Sequence, residues 1–345
     1  MNKNNRRQFI TTTALASLSI PFLGMKDAVL QEDELSLPAI KPLALKVGDV
    51  IAISSPAGAV WEDAQIDKFV SILENLGFKV KLGQTLKEKF GYFAGTDELR
   101  ASEINKFFLD KEVKAIFCMK GGWGCARILD KLNYDAIKNN PKIIMGFSDI
   151  TSLLIGITSK TGLVTFHGPV GNSGWNDFTI DYLKRVLTNK EMVAYAYADD
   201  DADKYYTITE GKVNGILFGG NLTVLAGMIG SNYLPDWKNK ILFLEETGEE
   251  PYRIDRMLTQ LKLSGVLKNI NGFVFGKCVK CEAEEPEKAF TLQQVLEQHI
   301  KPLGIPAFYG AMIGHIVNKY TVPIGISAEM DASTGLLKLL EPAVI

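Results

Sequence analysis

Only three histidines occur among the 345 residues, at positions 167, 299 and 315, and only four cysteines, at 118, 125, 278 and 281. The cysteines do not fall into two pairs with zinc-ribbon spacing and no HExxH is present, so no metal and no cofactor are expected. Cys278 and Cys281 follow a strand-like run, FVFGK, rather than opening a helix where a redox thiol is activated. They read as free buried thiols, a disulfide being the alternative if the chain is exported. An excess of either charge is also lacking: 38 Lys and Arg stand against 40 Asp and Glu, and no basic run follows the first few residues. Nucleic acid is therefore not an expected partner, and small molecules or peptides are. No run is long and apolar enough to make a good membrane span.

What is present begins with an atypical leader. Met1 to Gly24 has a polar start with paired Arg6 and Arg7, then a weakly apolar stretch rich in Thr, Ser and Ala. The run Asn5 to Ile10, NRRQFI, resembles a twin-arginine export address, so residues 1–40 are expected to be a signal and flexible leader. The expected location is periplasmic, or cytoplasmic if the leader does not function. With 46% hydrophobic and 23% charged residues, the remainder has a globular composition.

From Asp49 onward, strand and helix signals alternate as in a parallel α/β sheet. Asp49 to Ser54 predicts a strand, Ile66, Phe69, Val70, Leu73 and Leu76 a helix ending at Gly77, and FKVKL the next strand. AIFCM, the run Ile143 to Met145, and Leu163 to Phe166 predict three more strands, with a helix over CARILDKL. Residues 175–212 turn polar and acidic and read as a helix plus surface linker; from 213 the pattern becomes glycine-rich and mixed. The expected organisation is an α/β domain over 41–175, a helix and linker over 176–212, and a β-rich domain over 213–345.

Pro141 to Leu154, PKIIMGFSDITSLL, places Ser148 at the turn between a buried strand and a helix. A nucleophile elbow has this form, usually as G-x-S-x-G; here the second glycine is missing. Serine is also a preferred helix N-cap, and the segment alone leaves both roles open. A serine nucleophile needs a base, and a histidine base needs an orienting carboxylate. His299 lies on an amphipathic helix and reads as a surface residue, whereas His167 follows a buried strand and His315 sits in a glycine-bounded loop. Spacing does not rank the last two. Glu245 ends the apolar run Ile241 to Leu244 and suits a held carboxylate; Glu246, Glu249 and Glu250 read as a solvated acidic loop. The turn Gly121-Gly122-Trp123-Gly124 lacks P-loop and dinucleotide signatures, and its glycines allow backbone N–H groups to approach an oxyanion.

These residues, with YFAGTDELRASEIN at 92–105, KGGWGCARILD at 120–130, TFHGP at 165–169, LFGGNLTVL at 217–225, ILFLEETGEEPYRIDRMLTQL at 241–261 and Gly314-His315, resemble the L,D-carboxypeptidase family of serine peptidases. That family includes murein tetrapeptide carboxypeptidases and microcin-immunity hydrolases. The resemblance implies a flavodoxin-like parallel-sheet N-terminal domain with a smaller β-rich mixed C-terminal domain, and a homodimer as the assembly. It implies Ser148 as nucleophile, Glu245 as triad acid and His315 as base, with the backbone N–H groups of Gly122 and Asp149 as oxyanion donors. Gly121, Trp123, His167 and Asn221 would line the substrate site. The implied reaction releases terminal D-alanine from a murein tetrapeptide through an acyl-enzyme; the alternative substrate is a peptide-nucleotide antibiotic or related amide.

Overall fold

The structure is a computed structural model that describes residues 37–197 and 205–345. Arg6, Arg7 and the rest of the export-like leader lie outside the described residues. Four short apolar runs become strands that are largely buried on both faces, as parallel sheets require, while the edge strand Lys79–Leu82 stays mostly exposed. The first five are β1 Val50–Ser54, β2 Lys79–Leu82, β3 Val113–Cys118, β4 Ile143–Gly146 and β5 Thr165–His167. They pair in parallel in the order β2-β1-β3-β4-β5, the flavodoxin-like arrangement. In that order the strand sequence reverses between β1 and β3, and ligands bind outside the carboxyl ends of strands at such a point.

The second half supplies β6 Ala194–Tyr195, β7 Tyr206–Thr209, β8 Lys212–Asn221, β9 Lys240–Glu245, β10 Gly272–Gly276, β11 Ala307–Ala311, β12 Val322–Ile324, β13 Ser327–Asp331 and β14 Leu336–Leu339. Eight of these form a mixed sheet, β6-β14-β13-β8-β9-β10-β11-β7, parallel across β8 to β11 and antiparallel on the flanks. The ninth, β12, pairs antiparallel with β5 and so extends the first sheet.

Several expectations change. Residues 175–212 are not only helix and surface linker, because β6 and β7 close the two edges of the second sheet. CARILDKL forms a 3-10 helix, Cys125–Lys131, rather than an α-helix. Cys278 and Cys281 are joined in a disulfide instead of remaining free, while Cys118 and Cys125 are free and buried. His299 is largely covered, with Nε2 2.7 Å from Asp255 Oδ1, rather than a bare surface residue. Among the described residues, no helix is long and apolar enough to cross a membrane.

The two sheets meet at a few specific bonds. β8 runs beside β9 with Asn221 opposite Glu245, and the Asn221 N–H donates to Thr151 Oγ1 at 3.0 Å. Thr151 lies in the first turn of the helix Ile150–Thr161, three residues beyond Ser148. The carboxylate strand is thereby held in register with the helix that follows the serine.

Candidate active site

Ser148 occupies the turn between β4 and the helix Ile150–Thr161 with φ of 63°. A left-handed backbone costs a non-glycine residue about 1–2 kcal/mol, and strain of this kind collects at functional sites. The surroundings enforce it: β4 is wholly buried, and the Thr151 N–H donates to the Ser148 carbonyl at 2.9 Å. Asp149 takes the cap position and no side chain caps the helix, so Ser148 is not its cap.

Glu245, the last residue of β9, is fully buried, and its Oε2 is 2.8 Å from His315 Nδ1. Burial pushes this carboxyl up, but the hydrogen bond and positive potential from His315 carry it below the usual glutamate range. A carboxylate at Nδ1 fixes the tautomer with the proton there and leaves Nε2 as the basic nitrogen. Phe147 packs edge-on against the His315 ring, centroids 4.7 Å apart. Ser148 and His315 both line one cavity of about 460 Å³, together with Gly121, Gly122, Phe147 and Lys319.

The glycine turn lies against the serine. A Cβ on Gly121 would sit 2.8 Å from Ser148 Cβ, 3.1 Å from Oγ and 3.3 Å from the Asp149 nitrogen. Only a residue without a side chain allows this approach. The turn is anchored from two sides. The Gly58 N–H donates to the Gly121 carbonyl at 3.1 Å, and the Cys125 N–H donates to Asp149 Oδ2 at 2.8 Å. Arg100, fully buried, donates through Nη1 to the carbonyls of Pro56 (2.6 Å) and Gly124 (2.9 Å) and pairs with Asp97. Both loops at the switch point between β1 and β3 are thus tied to one guanidinium.

Other predicted residues lie elsewhere. His167 is 2% exposed, behind the cavity wall, with its ring against Phe147 and Phe243; it does not line the cavity. Asn221 is also buried and outside the lining; it accepts from the Val224 N–H and donates to Glu246 Oε1. Trp123 is 58% exposed and outside the lining as well. Glu246 is not part of a solvated loop. It is 2% exposed and accepts bonds from Asn221, Thr223 and Thr247, while burial raises its carboxyl. Two residues escaped sequence reasoning. Arg100 lay inside the marked 92–105 segment without a role, and Lys319 follows Gly314-His315 in a loop whose folding back is not encoded in any periodicity.

Burial pushes the His167 imidazole down to about 4, and neither ring nitrogen has a hydrogen-bond partner among the described residues. It is neutral in the native state, whereas in the unfolded chain it takes a proton near pH 6.5. Below that pH the unfolded state binds the extra proton, so stability falls between about pH 6.5 and 4, by about 3 kcal/mol over the window. In His167→Gln the loss over this range is expected to shrink by that amount, as measured by urea unfolding at both ends. Comparing each protein with itself across pH cancels the packing change; identical pH dependence in the two proteins would refute the assignment.

Among the described residues, no three His, Cys, Asp or Glu side chains are grouped as metal ligands. The profile of the LD-carboxypeptidase N-terminal domain matches residues 50–168, and that of the LD-carboxypeptidase C-terminal domain matches 214–330. A probable murein peptide carboxypeptidase of Bacillus subtilis is 38% identical, over 85% of this chain and 92% of its own. The Escherichia coli microcin C7 self-immunity protein MccF is 31% identical, over 86% and 96%. A solved apo structure of MccF superposes with a TM-score of 0.81 at 28% identity, covering 89% of this chain and all of that one. The muramoyltetrapeptide carboxypeptidase of Oxalobacter formigenes superposes with 0.75 at 29% identity, covering 84% and 97%.

Proposed function

This chain belongs to the LD-carboxypeptidase family, and from that premise we propose that it releases terminal D-alanine from murein tetrapeptides with a Ser148-His315-Glu245 triad. The observation that carries the reading is the 2.8 Å bond from the buried Glu245 to His315 Nδ1, on the wall of the cavity that Ser148 also lines. His315 takes the Ser148 proton through Nε2 as Oγ attacks the carbonyl of the L-residue. The developing oxyanion is held by the N–H groups of Gly122 and Asp149. Collapse expels D-alanine, which receives the proton from His315 and leaves an acyl-enzyme on Ser148. Water, deprotonated by the same histidine, then attacks the ester and frees the shortened peptide. Glu245 stays ionised throughout and stabilises the imidazolium.

A second substrate class has support of its own, since the superposition on MccF is tighter than that on the muramoyltetrapeptide enzyme. A peptide-nucleotide antibiotic or related amide is therefore the competing substrate. Arg6 and Arg7 serve as an export address in this reading, and the Cys278–Cys281 disulfide supports an oxidising compartment. One assay addresses both points. D-alanine release from a murein tetrapeptide, measured beside cleavage of a peptide-nucleotide substrate in separated periplasmic and cytoplasmic fractions, is expected in the periplasmic fraction. Release confined to the cytoplasm overturns the export reading, and cleavage of only the nucleotide substrate overturns the murein reading.

A further inference from the structure

The cavity wall includes a lysine that the catalytic reading does not use. Lys319 is only 5% exposed, yet it lines the same cavity as Ser148 and His315. Its backbone is fixed, because the Lys319 N–H donates to Thr179 Oγ1 at 3.3 Å, and the neighbouring Asn318 Oδ1 accepts from Asn176 Nδ2 at 2.6 Å. Its Nζ lies 4.9 Å from the centre of the Phe147 ring, the residue immediately before the nucleophile. No carboxylate of the described residues pairs with it. Glu245 is the acidic group that acts on it through space, and that carboxylate is engaged by His315.

An ammonium so placed is costly. Burial lowers Lys319 to about 8, so near neutral pH it remains mostly charged but without a counterion. A cation in this state is poised for an anion arriving through the cavity, because pairing recovers much of the desolvation cost. The reading proposed above supplies one. In a substrate cleaved at its last amide, two bonds separate the scissile nitrogen from the terminal carboxyl carbon, so that carboxylate stands within about 4 Å of the attacked carbon. The anion must therefore bind beside the nucleophile, where Phe147 holds the cation.

We propose that Lys319 is a specificity-determining residue that binds the C-terminal carboxylate of the substrate and restricts cleavage to the last peptide bond. The inference rests on the carboxypeptidase reading, which supplies the carboxylate. It explains how an open cavity avoids internal amides: a peptide continuing past this point would place a neutral amide against an unpaired buried charge.

The test separates binding from turnover. In the Ser148→Ala protein, calorimetry with a murein tetrapeptide and with its C-terminal amide is expected to show the acid binding about 30-fold more tightly. Adding Lys319→Met should reduce that preference to within about threefold, while Lys319→Arg should keep part of it. The ratio of two ligands on one protein is insensitive to partial misfolding. An acid preference absent in Ser148→Ala, or unchanged by Lys319→Met, overturns the proposal. A preference that depends on Lys319, in a wild-type protein that releases no D-alanine, instead sinks the carboxypeptidase reading and leaves the carboxylate site standing.

Discussion

Replacing Ser148 with alanine is expected to lower kcat for D-alanine release by about 10,000-fold or more, with the fold intact. The side chain removed is half-buried and caps no helix, so no helix cap is lost with it. The 63° φ remains in alanine, and the strain with it. Ser148→Gly, by contrast, is equally inactive but relieves that strain, which should raise unfolding free energy by about 1 kcal/mol relative to Ser148→Ala. Triad members act as a unit. His315→Ala or Glu245→Ala combined with Ser148→Ala should therefore cost little beyond the first substitution. Steady-state kinetics with denaturant unfolding checks each statement, and activity within tenfold of wild type in Ser148→Ala would remove the serine mechanism.

The expected position of this serine could be read from the sequence because a buried parallel strand is a dense apolar run, and Ile143 to Met145 is one. The missing second glycine has a structural counterpart elsewhere in the turn. In G-x-S-x-G that glycine gives room for the strand to approach the helix, and here Ile150 stands in its place. The structure provides the room at Gly146 instead, where a Cβ would meet Ile150 Cγ2 at 2.8 Å. Glu245 was legible for the same reason as Ser148, since it terminates the buried run of β9. Its neighbour Glu246 reads as solvated because acidic clusters usually are, whereas its partners Asn221 and Thr223, which bury it, lie more than twenty residues away in sequence. The choice between His167 and His315 is also a long-range fact. His315 meets a carboxylate 70 residues distant, whereas His167 is sealed between Phe147 and Phe243. Likewise, nothing in VPI tells that β12 leaves the second sheet's chain segment to pair with β5, since the pairing depends on where the loop carrying His315 ends.

Gly121→Ala should lower kcat by about 100-fold or more while changing KM far less, although the substituted residue takes no part in bond making. The new methyl would stand 2.8 Å from Ser148 Cβ, closer than two such carbons approach. Ser148 cannot yield, because its backbone is locked between β4 and the helix and its φ is already strained. The turn must therefore retreat. On one side it is held by Arg100, through Gly124, and by Asp149, through Cys125, so the retreat concentrates at Gly121 and Gly122. Those residues carry the proposed oxyanion donor, and removing one such donor costs about 100–1,000-fold in other serine hydrolases. The cavity is otherwise unaltered, which is why substrate binding should survive. Labelling of Ser148 by a fluorophosphonate should slow in parallel with kcat, since the phosphonate oxygen needs the same donors. Unimpaired labelling together with kcat within threefold of wild type would mean that the glycine turn does not form the oxyanion hole.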